Sequence, residues 1–320
     1  MASTMKAVVY DRYGPPDVLR LEDVPVPVPG PREVLVEVAA TSLNLSDWEA
    51  LVGSPAYARF GGLRRPRRRI LGSDIAGVVA AVGPGVTRFA TGDEVFGDNL
   101  QRLGGFAQFA IASESALAVK PAALTFAQAS AIPQSGEIAA QGTVDVTAGT
   151  RMLINGAGGG SGAFAIPLAK AAGAHVTGVD NAGKLAFMRA LGADAVIDYR
   201  AEDFTRTGPY DLILDLVAHR SVFAYRRALA PGGRYRAVGG RVRALVRILT
   251  VGTVIAGVSG RRMGILVVRS GPAQFEPLAQ RCAQGEIDIH IDRTFALHQT
   301  AEALAYLGEG RALGKVIVQP

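Results

Sequence analysis

The sequence predicts an α/β protein in which a region of short β-strands is interrupted by a doubly wound parallel-sheet domain. Short apolar runs separated by Gly and Pro turns continue to about residue 125, which is typical of an all-β domain. From Arg151 onward strands alternate with helices, which predicts right-handed crossovers and a parallel sheet. The pattern changes again after about residue 270. A length of 320 residues suits two domains, and 49% hydrophobic residues exclude a disordered chain.

The β region is marked by alternation and by proline. Glu33 to Ala40 alternates apolar and polar residues as a half-buried strand does, and Ile75 to Val82 is a β-like run that ends at Gly83-Pro84-Gly85. Four prolines, at Pro25, Pro27, Pro29 and Pro31, predict an extended linker, because proline fixes φ and lacks a backbone donor.

The second region provides the strands and helices of the parallel sheet. The predicted strands are 152–154, 175–179, 195–197, 212–216 and 235–238, and the predicted helices are 163–172, 184–191 and 221–229. Ile248 to Gly260 is apolar over about 13 residues, short of the roughly 20 that span a bilayer. We interpret it as a buried strand and helix, and Gly264 to Arg269 as a late strand. After residue 270 we expect helices over 275–284 and 299–307 and a last strand over 315–318.

A glycine-rich loop joins the strand Met152-Leu153-Ile154 to the helix that follows. It reads Asn155-Gly156-Ala157-Gly158-Gly159-Gly160-Ser161-Gly162, a match to G-x-G-x-x-G in the strand–loop–helix context that gives the motif its meaning. Glycines let backbone N–H groups approach a pyrophosphate, and the helix N-terminus adds free donors and partial positive charge. The loop therefore predicts a dinucleotide site that uses Gly158, Gly159, Gly160 and Ser161.

The choice between NAD and NADP depends on two residues at the end of the next strand. An acid such as Asp180 accepts hydrogen bonds from the adenosine ribose and repels a 2′-phosphate. Lys184, four residues later, would instead attract that phosphate. Asp180 is equally interpretable as a helix N-cap. Both cofactors, NADP or NAD, stay open at this stage.

Composition limits the remaining classes of function. The single cysteine, Cys282, excludes an internal disulfide and fits a reducing compartment, and the N-terminus lacks the apolar core of a signal peptide, so we expect a cytoplasmic protein with no membrane segment. The net charge of +6 comes mainly from five arginines between Arg64 and Arg69. This run is interpreted as a solvated loop; attraction of a phosphate-bearing ligand stays open, and a nucleic-acid site is the weaker alternative.

Nine segments of the chain form a distinctive set: DRYGPPDVLRLEDVPVP, LNLSDWE, ILGSDIAGVVAAVG, GDEVFG, INGAGGGSG, LGADAVIDY, YDLILDLV, APGGRY and GKVIV. Through them the chain resembles, over nearly its full length, the zinc-independent medium-chain dehydrogenase/reductases of the quinone oxidoreductase (zeta-crystallin-like) type. The resemblance implies a GroES-like catalytic domain (residues 1–125 and 270–320), interrupted by a Rossmann dinucleotide-binding domain (residues 126–269). It also implies reduction of quinones or conjugated carbonyls with NAD(P)H.

The zinc ligands of related enzymes are missing. Zinc-dependent relatives carry a catalytic Cys where this chain has Asn44, and a His-Glu pair where it has Ser73-Asp74. Asn and Ser side chains do not replace a thiolate and an imidazole at a tetrahedral zinc. The four histidines, His175, His219, His290 and His298, form no ligand-spaced cluster. We therefore expect no metal.

Without a metal, other donors must polarise the substrate carbonyl. The catalytic candidates are Asn44, whose amide donates to a carbonyl or positions the nicotinamide ribose, together with Ser46 and Tyr57. Asp47 is interpreted as a helix-start residue.

The resemblance implies further cofactor contacts, each with simple packing as its alternative. They are Tyr199 near the adenosine end, Val217 and Ala218 after the fourth strand of the parallel sheet, Val238 and Gly239 near the nicotinamide, and Lys315 in the cofactor cleft. A segment that reads P-V-A-G-L-T-A-x-Q-G in the family is here Pro133-Gln134-Ser135-Gly136-Glu137-Ile138-Ala139-Ala140-Gln141-Gly142. Ile138 thus replaces a threonine beside the nicotinamide, and Glu137 replaces an apolar residue. Gln134 and Glu137 are interpreted either as polar groups near the nicotinamide or as the start of a surface helix.

The leading hypothesis is a metal-free oxidoreductase that transfers hydride from NAD(P)H to a quinone or an α,β-unsaturated carbonyl. One alternative is an alcohol dehydrogenase-like biosynthetic redox enzyme, suggested by Glu137 and Ile138. A second alternative is a non-catalytic NAD(P)-binding or RNA-binding protein, which only the arginine run supports. The resemblance further implies a homodimer, joined through the strand Gly264 to Arg269.

Overall fold

A computed structural model describes residues 3–59 and 62–320 of the chain. The strands in these ranges are β1 (Thr4–Val9), β2 (Arg20–Pro25), β3 (Glu33–Ser42), β4 (Asp74–Val82), β5 (Glu94–Asp98), β6 (Phe109–Ser113), β7 (Leu117–Val119), β8 (Arg151–Asn155), β9 (His175–Asp180), β10 (Ala195–Asp198), β11 (Tyr210–Asp215), β12 (Leu229–Ala237), β13 (Arg262–Ile265), β14 (Ile291–Ala296) and β15 (Lys315–Gln319). The helices are α1 (Leu45–Val52), α2 (Phe126–Ala131), α3 (Pro133–Thr143), α4 (Gly160–Ala171), α5 (Leu185–Ala190), α6 (Val222–Ala228), α7 (Val242–Ser259), α8 (Pro272–Ala283) and α9 (Thr300–Gly308).

The chain divides into two compact units. The first contains residues 1–134 and 270–320, and the second contains residues 135–269. The sequence placed the first boundary at 125/126, nine residues too early. The reason is α2, whose Ala131 packs with Ala40 of β3 and Ile317 of β15, so this short helix belongs to the core of the first unit.

The first unit is built on a seven-stranded sheet in the order β14-β15-β3-β4-β5-β7, with β6 pairing on β3. β3 and β4 run antiparallel from Val34 opposite Val82 to Ser42 opposite Asp74. The alternating valines of β3 pack on Ile75 and Val79 of β4, as the sequence pattern predicted. These strands form the β-rich domain that the sequence predicted.

One strand of the first unit escaped the sequence analysis. β14 pairs parallel to β15, the last strand. Of its six residues, only Phe295 is buried. A strand with so little apolar alternation has no period-two signal, and tertiary pairing alone defines it.

The second unit is a six-stranded parallel sheet in the order β10-β9-β8-β11-β12-β13. In terms of these six strands alone the order is third, second, first, fourth, fifth, sixth, which is that of a Rossmann sheet. The core between sheet and helices includes Leu153, Val179, Ile213 and Tyr235. The direction of the strand order reverses between β8 and β11, and ligands of such sheets bind at the carboxyl ends of the strands at that point.

Two predictions for the end of this unit were wrong in detail. Residues 248–260 are not a strand and helix, because α7 is one helix whose Leu245, Ile248, Val251 and Ile255 pack on the core at helical spacing. Among the described residues, no helix combines the length and the apolar character needed to cross a membrane.

The late strand also differs in its bounds. β13 covers Arg262–Ile265 rather than Gly264 to Arg269, because its pairing with β12 ends where Ile265 lies opposite Ala237.

Candidate cofactor-binding and catalytic site

The glycine-rich loop leaves β8 at Asn155 and enters α4 at Gly160. Gly156 has φ +87°, a conformation that side chains disfavour, and it makes the turn. The N–H groups of Gly156 and Ala157 both donate to the carbonyl of Val179, which fastens the loop to β9. A Cβ on Gly162 would lie 2.3 Å from the carbonyl oxygen of Ala157, so only glycine permits this close packing of helix on loop.

The loop fits the diphosphate of a dinucleotide. Within residues 3–59 and 62–320, the N–H groups of Gly160, Ser161 and Gly162 have no acceptor, as expected for the first turn of a helix. A Cβ on Gly159 would meet only the carbonyl oxygen of Gly156, at 3.5 Å. Free donors at a helix N-terminus, bordered by a glycine with open space, are suited to a phosphate.

Asp180 ends β9 and is directly bonded to this loop. Its Oδ2 accepts from the N–H of Gly158 at 3.0 Å, and its Oδ1 accepts from the N–H of Asn181 at 2.9 Å. Lys184 is 6% exposed, and its Nζ lies 3.7 Å from Asp180 Oδ2. The carboxylate therefore positions the loop, and it partly neutralises the ammonium group of Lys184.

Replacing Asp180 by alanine is expected to shift cofactor preference towards NADPH by about tenfold, or ~1.4 kcal/mol, because Lys184 loses the carboxylate beside it. Fluorescence titrations with NADH and NADPH measure the ratio of the two dissociation constants. Asp211→Ala is the matched control, since Asp211 pairs with Arg151 at the amino ends of the strands. The residue that caps the following helical turn is Asn181. An unchanged ratio would therefore show that Asp180 acts only by holding the N–H of Gly158.

The other cofactor residues that the sequence nominated in this unit also follow the carboxyl ends of strands. Tyr199 follows β10, Val217 and Ala218 follow β11, and Val238 and Gly239 follow β12. The N–H of Ala218 donates to the carbonyl of Gly239 at 3.0 Å, which brings the last two segments together. Ile138 lies on α3, half-buried. Their contacts with a cofactor stay predictions.

The sequence analysis missed a buried polar cluster beneath the loop. Asp215, the last residue of β11, accepts from Asn155 Nδ2 at 2.7 Å and from the Tyr235 hydroxyl at 2.8 Å. Burial raises the pKa of the Asp215 carboxyl. The cluster ties together the ends of β8, β11 and β12 at the switch point. Its only sequence signal is an acid inside the apolar run YDLILDLV.

In the first unit, Asn44 lies within a buried network at the start of α1. Its Nδ2 donates to Ser73 Oγ at 3.0 Å and to Asp74 Oδ2 at 2.8 Å. Asp47 Oδ2 accepts from the backbone N–H of Asn44 at 2.9 Å. Both amide protons of Asn44 therefore have acceptors inside the protein, and these bonds hold its side chain in place. Its predicted role as a carbonyl donor stays a prediction.

Lys315 is the cation of this network. Its side chain is 1% exposed, and Nζ donates to Asn44 Oδ1 at 2.7 Å and to the carbonyl of Leu43 at 3.2 Å. Asp74 Oδ2 lies 3.8 Å away. Burial lowers the pKa of Lys315 and raises those of Asp74 and Asp98, its partner across β4 and β5, while it raises the pKa of Asp47 to about 6. The ammonium group of Lys315 thus interacts electrostatically with three buried carboxyl groups, those of Asp74, Asp47 and Asp98.

The other two catalytic candidates have hydrogen-bond partners of their own. The Ser46 hydroxyl donates to Gln134 Oε1 at 2.8 Å. The Tyr57 hydroxyl donates to Glu49 Oε1 at 3.1 Å, and burial raises the pKa of Glu49. Both hydroxyl protons have acceptors within the protein.

The donor set at Asn44 and Asp74 does not suit a transition metal. It contains amide, hydroxyl and carboxylate oxygens and an ammonium, with no thiolate or imidazole. Over residues 3–59 and 62–320, no three or more His, Cys, Asp and Glu side chains are grouped so that they could hold a metal ion.

The arginine run is partly engaged by acidic neighbours. Arg69 contacts Asp11 at 2.6 Å and Glu22 at 3.2 Å, and Arg68 donates to the carbonyl of Arg102. Together with Arg102, these two arginines border a groove of about 420 Å³ whose floor includes Ile70 and Phe109. Nothing in this arrangement favours nucleic acid over a solvated loop.

Two family profiles match the chain. Residues 30–122 match the alcohol dehydrogenase GroES-like domain, and residues 191–318 match a profile described as zinc-binding dehydrogenase. A curated relative, 2-methylene-furan-3-one reductase of Solanum lycopersicum, is 31% identical over 99% of this chain and 80% of its own length. The NADPH-dependent alkenal/one oxidoreductase of Arabidopsis thaliana chloroplasts is 32% identical with the same coverage.

Solved structures agree. The quinone oxidoreductase from Coxiella burnetii superposes with a TM-score of 0.90 at 30% identity, covering 99% of this chain and 100% of that one. The Escherichia coli quinone oxidoreductase in complex with NADPH, at 22% identity and a TM-score of 0.85 over 98% of this chain and all of its own, shares the fold. Fold and glycine loop define a two-domain dinucleotide-dependent dehydrogenase/reductase. The chain belongs to the medium-chain dehydrogenase/reductase family, in its quinone oxidoreductase and enone reductase branch.

Proposed function

We propose that this protein transfers hydride from NAD(P)H to a quinone or an α,β-unsaturated carbonyl compound without a metal ion. The observation that carries the proposal is the glycine loop with its acceptor-free N–H groups at the switch point of the Rossmann sheet. The oxygen-rich donor set at Asn44 supports the metal-free mechanism. The names of the Solanum and Arabidopsis relatives support the choice of electrophile.

The dihydronicotinamide, when bound, supplies the hydride. The residues of this chain supply binding and orientation. Gly160, Ser161 and Gly162 would hold the diphosphate through their N–H groups, and Asp180 with Lys184 would face the adenosine ribose. Proximity of donor and acceptor then provides much of the rate.

The test is NAD(P)H oxidation with phenanthrenequinone and with cyclohexenone, followed by nicotinamide absorbance. We expect turnover of at least one of them. Oxidation of primary alcohols by NAD(P)⁺, with neither electrophile reduced, would instead identify an alcohol dehydrogenase-like enzyme. Cofactor binding without any turnover would identify a binding protein.

We also propose a homodimer formed through the outer edge of the Rossmann sheet. β13 pairs with β12 on one side only, and an exposed apolar edge requires cover. Val267, just beyond β13, is 82% exposed. Val267→Glu is expected to convert a dimer into a monomer in analytical ultracentrifugation, with the exposed Val28→Glu as control. A wild-type protein that sediments as a monomer would contradict this proposal.

A further inference from the structure

The helix α7 carries an apolar stripe on the side that faces solvent. Its opposite side packs on the core of the second unit through the buried Ile248 and Ile255. Val242, Val246 and Leu249 are 38%, 52% and 55% exposed. Their spacing of four and three residues places them along one line of the helix, which we call the apolar stripe. A surface helix ordinarily carries polar side chains there, so a continuous apolar line indicates a binding surface.

Arginines lie beside the apolar stripe. Arg243 and Arg247 each follow a valine of the stripe and are four residues apart, so they form an adjacent line on the helix. Both are exposed, and among the described residues neither pairs with a carboxylate. Residues 216–275, between Asp215 and Glu276, contain eleven arginines and no aspartate or glutamate. This segment therefore carries a positive charge that its own residues do not neutralise.

The charge is unfavourable for the helix itself. Arg243 is the second residue of α7, and the first turn contains no acidic residue. The N-terminal end of a helix carries partial positive charge and favours acidic side chains. Arginine at this position therefore does not serve helix stability, whereas an anionic partner outside the helix would be attracted by it.

We propose that the exposed side of α7 binds the surface of an anionic lipid bilayer. The apolar stripe would enter the boundary between headgroups and acyl chains, and the guanidinium groups of Arg243 and Arg247 would contact the lipid phosphates. Two copies of this helix face to face would bring arginine against arginine, and a nucleic acid would leave the apolar stripe in water. An anionic bilayer complements both lines at once. The proposal does not depend on the hydride transfer proposed above.

Co-sedimentation with vesicles tests the arginines. The wild type should sediment with vesicles of phosphatidylglycerol and phosphatidylcholine in equal parts, and it should stay in solution with phosphatidylcholine alone. Arg243→Ser/Arg247→Ser should bind the anionic vesicles about 30-fold more weakly, since each arginine at such a surface contributes about fivefold. The matched control, Arg64→Ser/Arg65→Ser, removes the same charge from the exposed arginine run and should weaken binding by about twofold or less.

Val246→Ser tests the apolar stripe separately and should weaken binding to anionic vesicles by about fivefold. Val144→Ser, at an exposed position after α3, is its control and should leave binding unchanged. Thermal unfolding should be the same for all these variants, because the side chains are exposed. Failure of the wild type to bind anionic vesicles, or equal binding by Arg243→Ser/Arg247→Ser, would overturn the proposal. Salt-sensitive RNA binding without vesicle binding, or a dimer that Val246→Ser dissociates without vesicle binding, would also overturn it.

Discussion

Lys315→Met is expected to destabilise the protein by about 3–5 kcal/mol, the range for removing one partner of a buried ion pair. Methionine retains most of the aliphatic side chain but leaves Asp74, Asp47 and Asp98 without their shared cation. Lys315 lowers the pKa of both Asp74 and Asp47 against the effect of burial. Chemical unfolding of wild type and variant, followed by circular dichroism, measures the difference.

The loss of stability caused by Lys315→Met should depend on pH. In the variant the folded-state pKa values of these carboxyls rise further above their unfolded values near 4. The folded chain then binds more protons than the unfolded chain, so the variant gains stability as pH falls. We expect a smaller deficit at about pH 5 than at about pH 8.

A double-mutant cycle with Asp74→Asn isolates the interaction. If the pair is coupled, the double variant should be less destabilised than the sum of the single variants by about 0.5–3 kcal/mol. Lys6→Met is the matched control: Lys6 pairs with Asp23 at the surface, where such pairs contribute at most about 1 kcal/mol. Additive effects of Lys315→Met and Asp74→Asn would show that Lys315 does not compensate the buried carboxylates.

Gly159→Val is expected to weaken NADPH binding by about 100-fold or more. The valine side chain would project beside the free N–H groups of α4, and losing two hydrogen bonds to a charged phosphate costs about 1.5 kcal/mol each. Folding should be nearly unaffected, because Gly159 has φ −93° and ψ −175°, which valine adopts, and the nearest atom to its Cβ is 3.5 Å away. Calorimetric titration with NADPH and thermal unfolding measure the two effects.

Substitutions at two further glycines provide comparisons for Gly159→Val. Gly264→Val is the control for NADPH affinity, which it should leave unchanged, because a Cβ there meets no atom within 4 Å. Gly162→Val should reduce both NADPH affinity and thermal stability, since its Cβ would collide with the backbone of Ala157. Unaltered NADPH affinity in Gly159→Val would remove the loop from the cofactor site.

The parts of the fold that the sequence predicted are those with strong local signals. The glycine loop was found because its residues are contiguous. Gly156 and Gly162 also have backbone reasons to be glycine, a φ of +87° and a Cβ that would collide with Ala157. The alternating strand β3 and the apolar strand β8 were found from their periodicity. α7 was misinterpreted because its Val, Ile and Thr residues favour strands locally, whereas packing on the core selects a helix.

The buried network around Asn44 was harder to predict because it joins residues far apart in the sequence. Asn44 was nominated as a donor, but its bonds to Ser73, Asp74 and Lys315 span 29, 30 and 271 residues. No local sequence pattern shows which side-chain protons already have acceptors inside the protein. Gln134 was noticed only as a departure from the family, and its side chain accepts a hydrogen bond from Ser46, 88 residues away.

Transfer of deuterium from labelled NADPH to the substrate tests the central claim most directly. Metal-depleted protein, verified by elemental analysis, is incubated with an enone and NADPH that carries deuterium on the transferred side of nicotinamide C4. The account predicts one deuterium at the β-carbon of the saturated product, seen by NMR and mass spectrometry. The metal-depleted protein should form this product at the same rate as untreated protein. Product without deuterium, or activity that returns only when a transition metal is added, would contradict it.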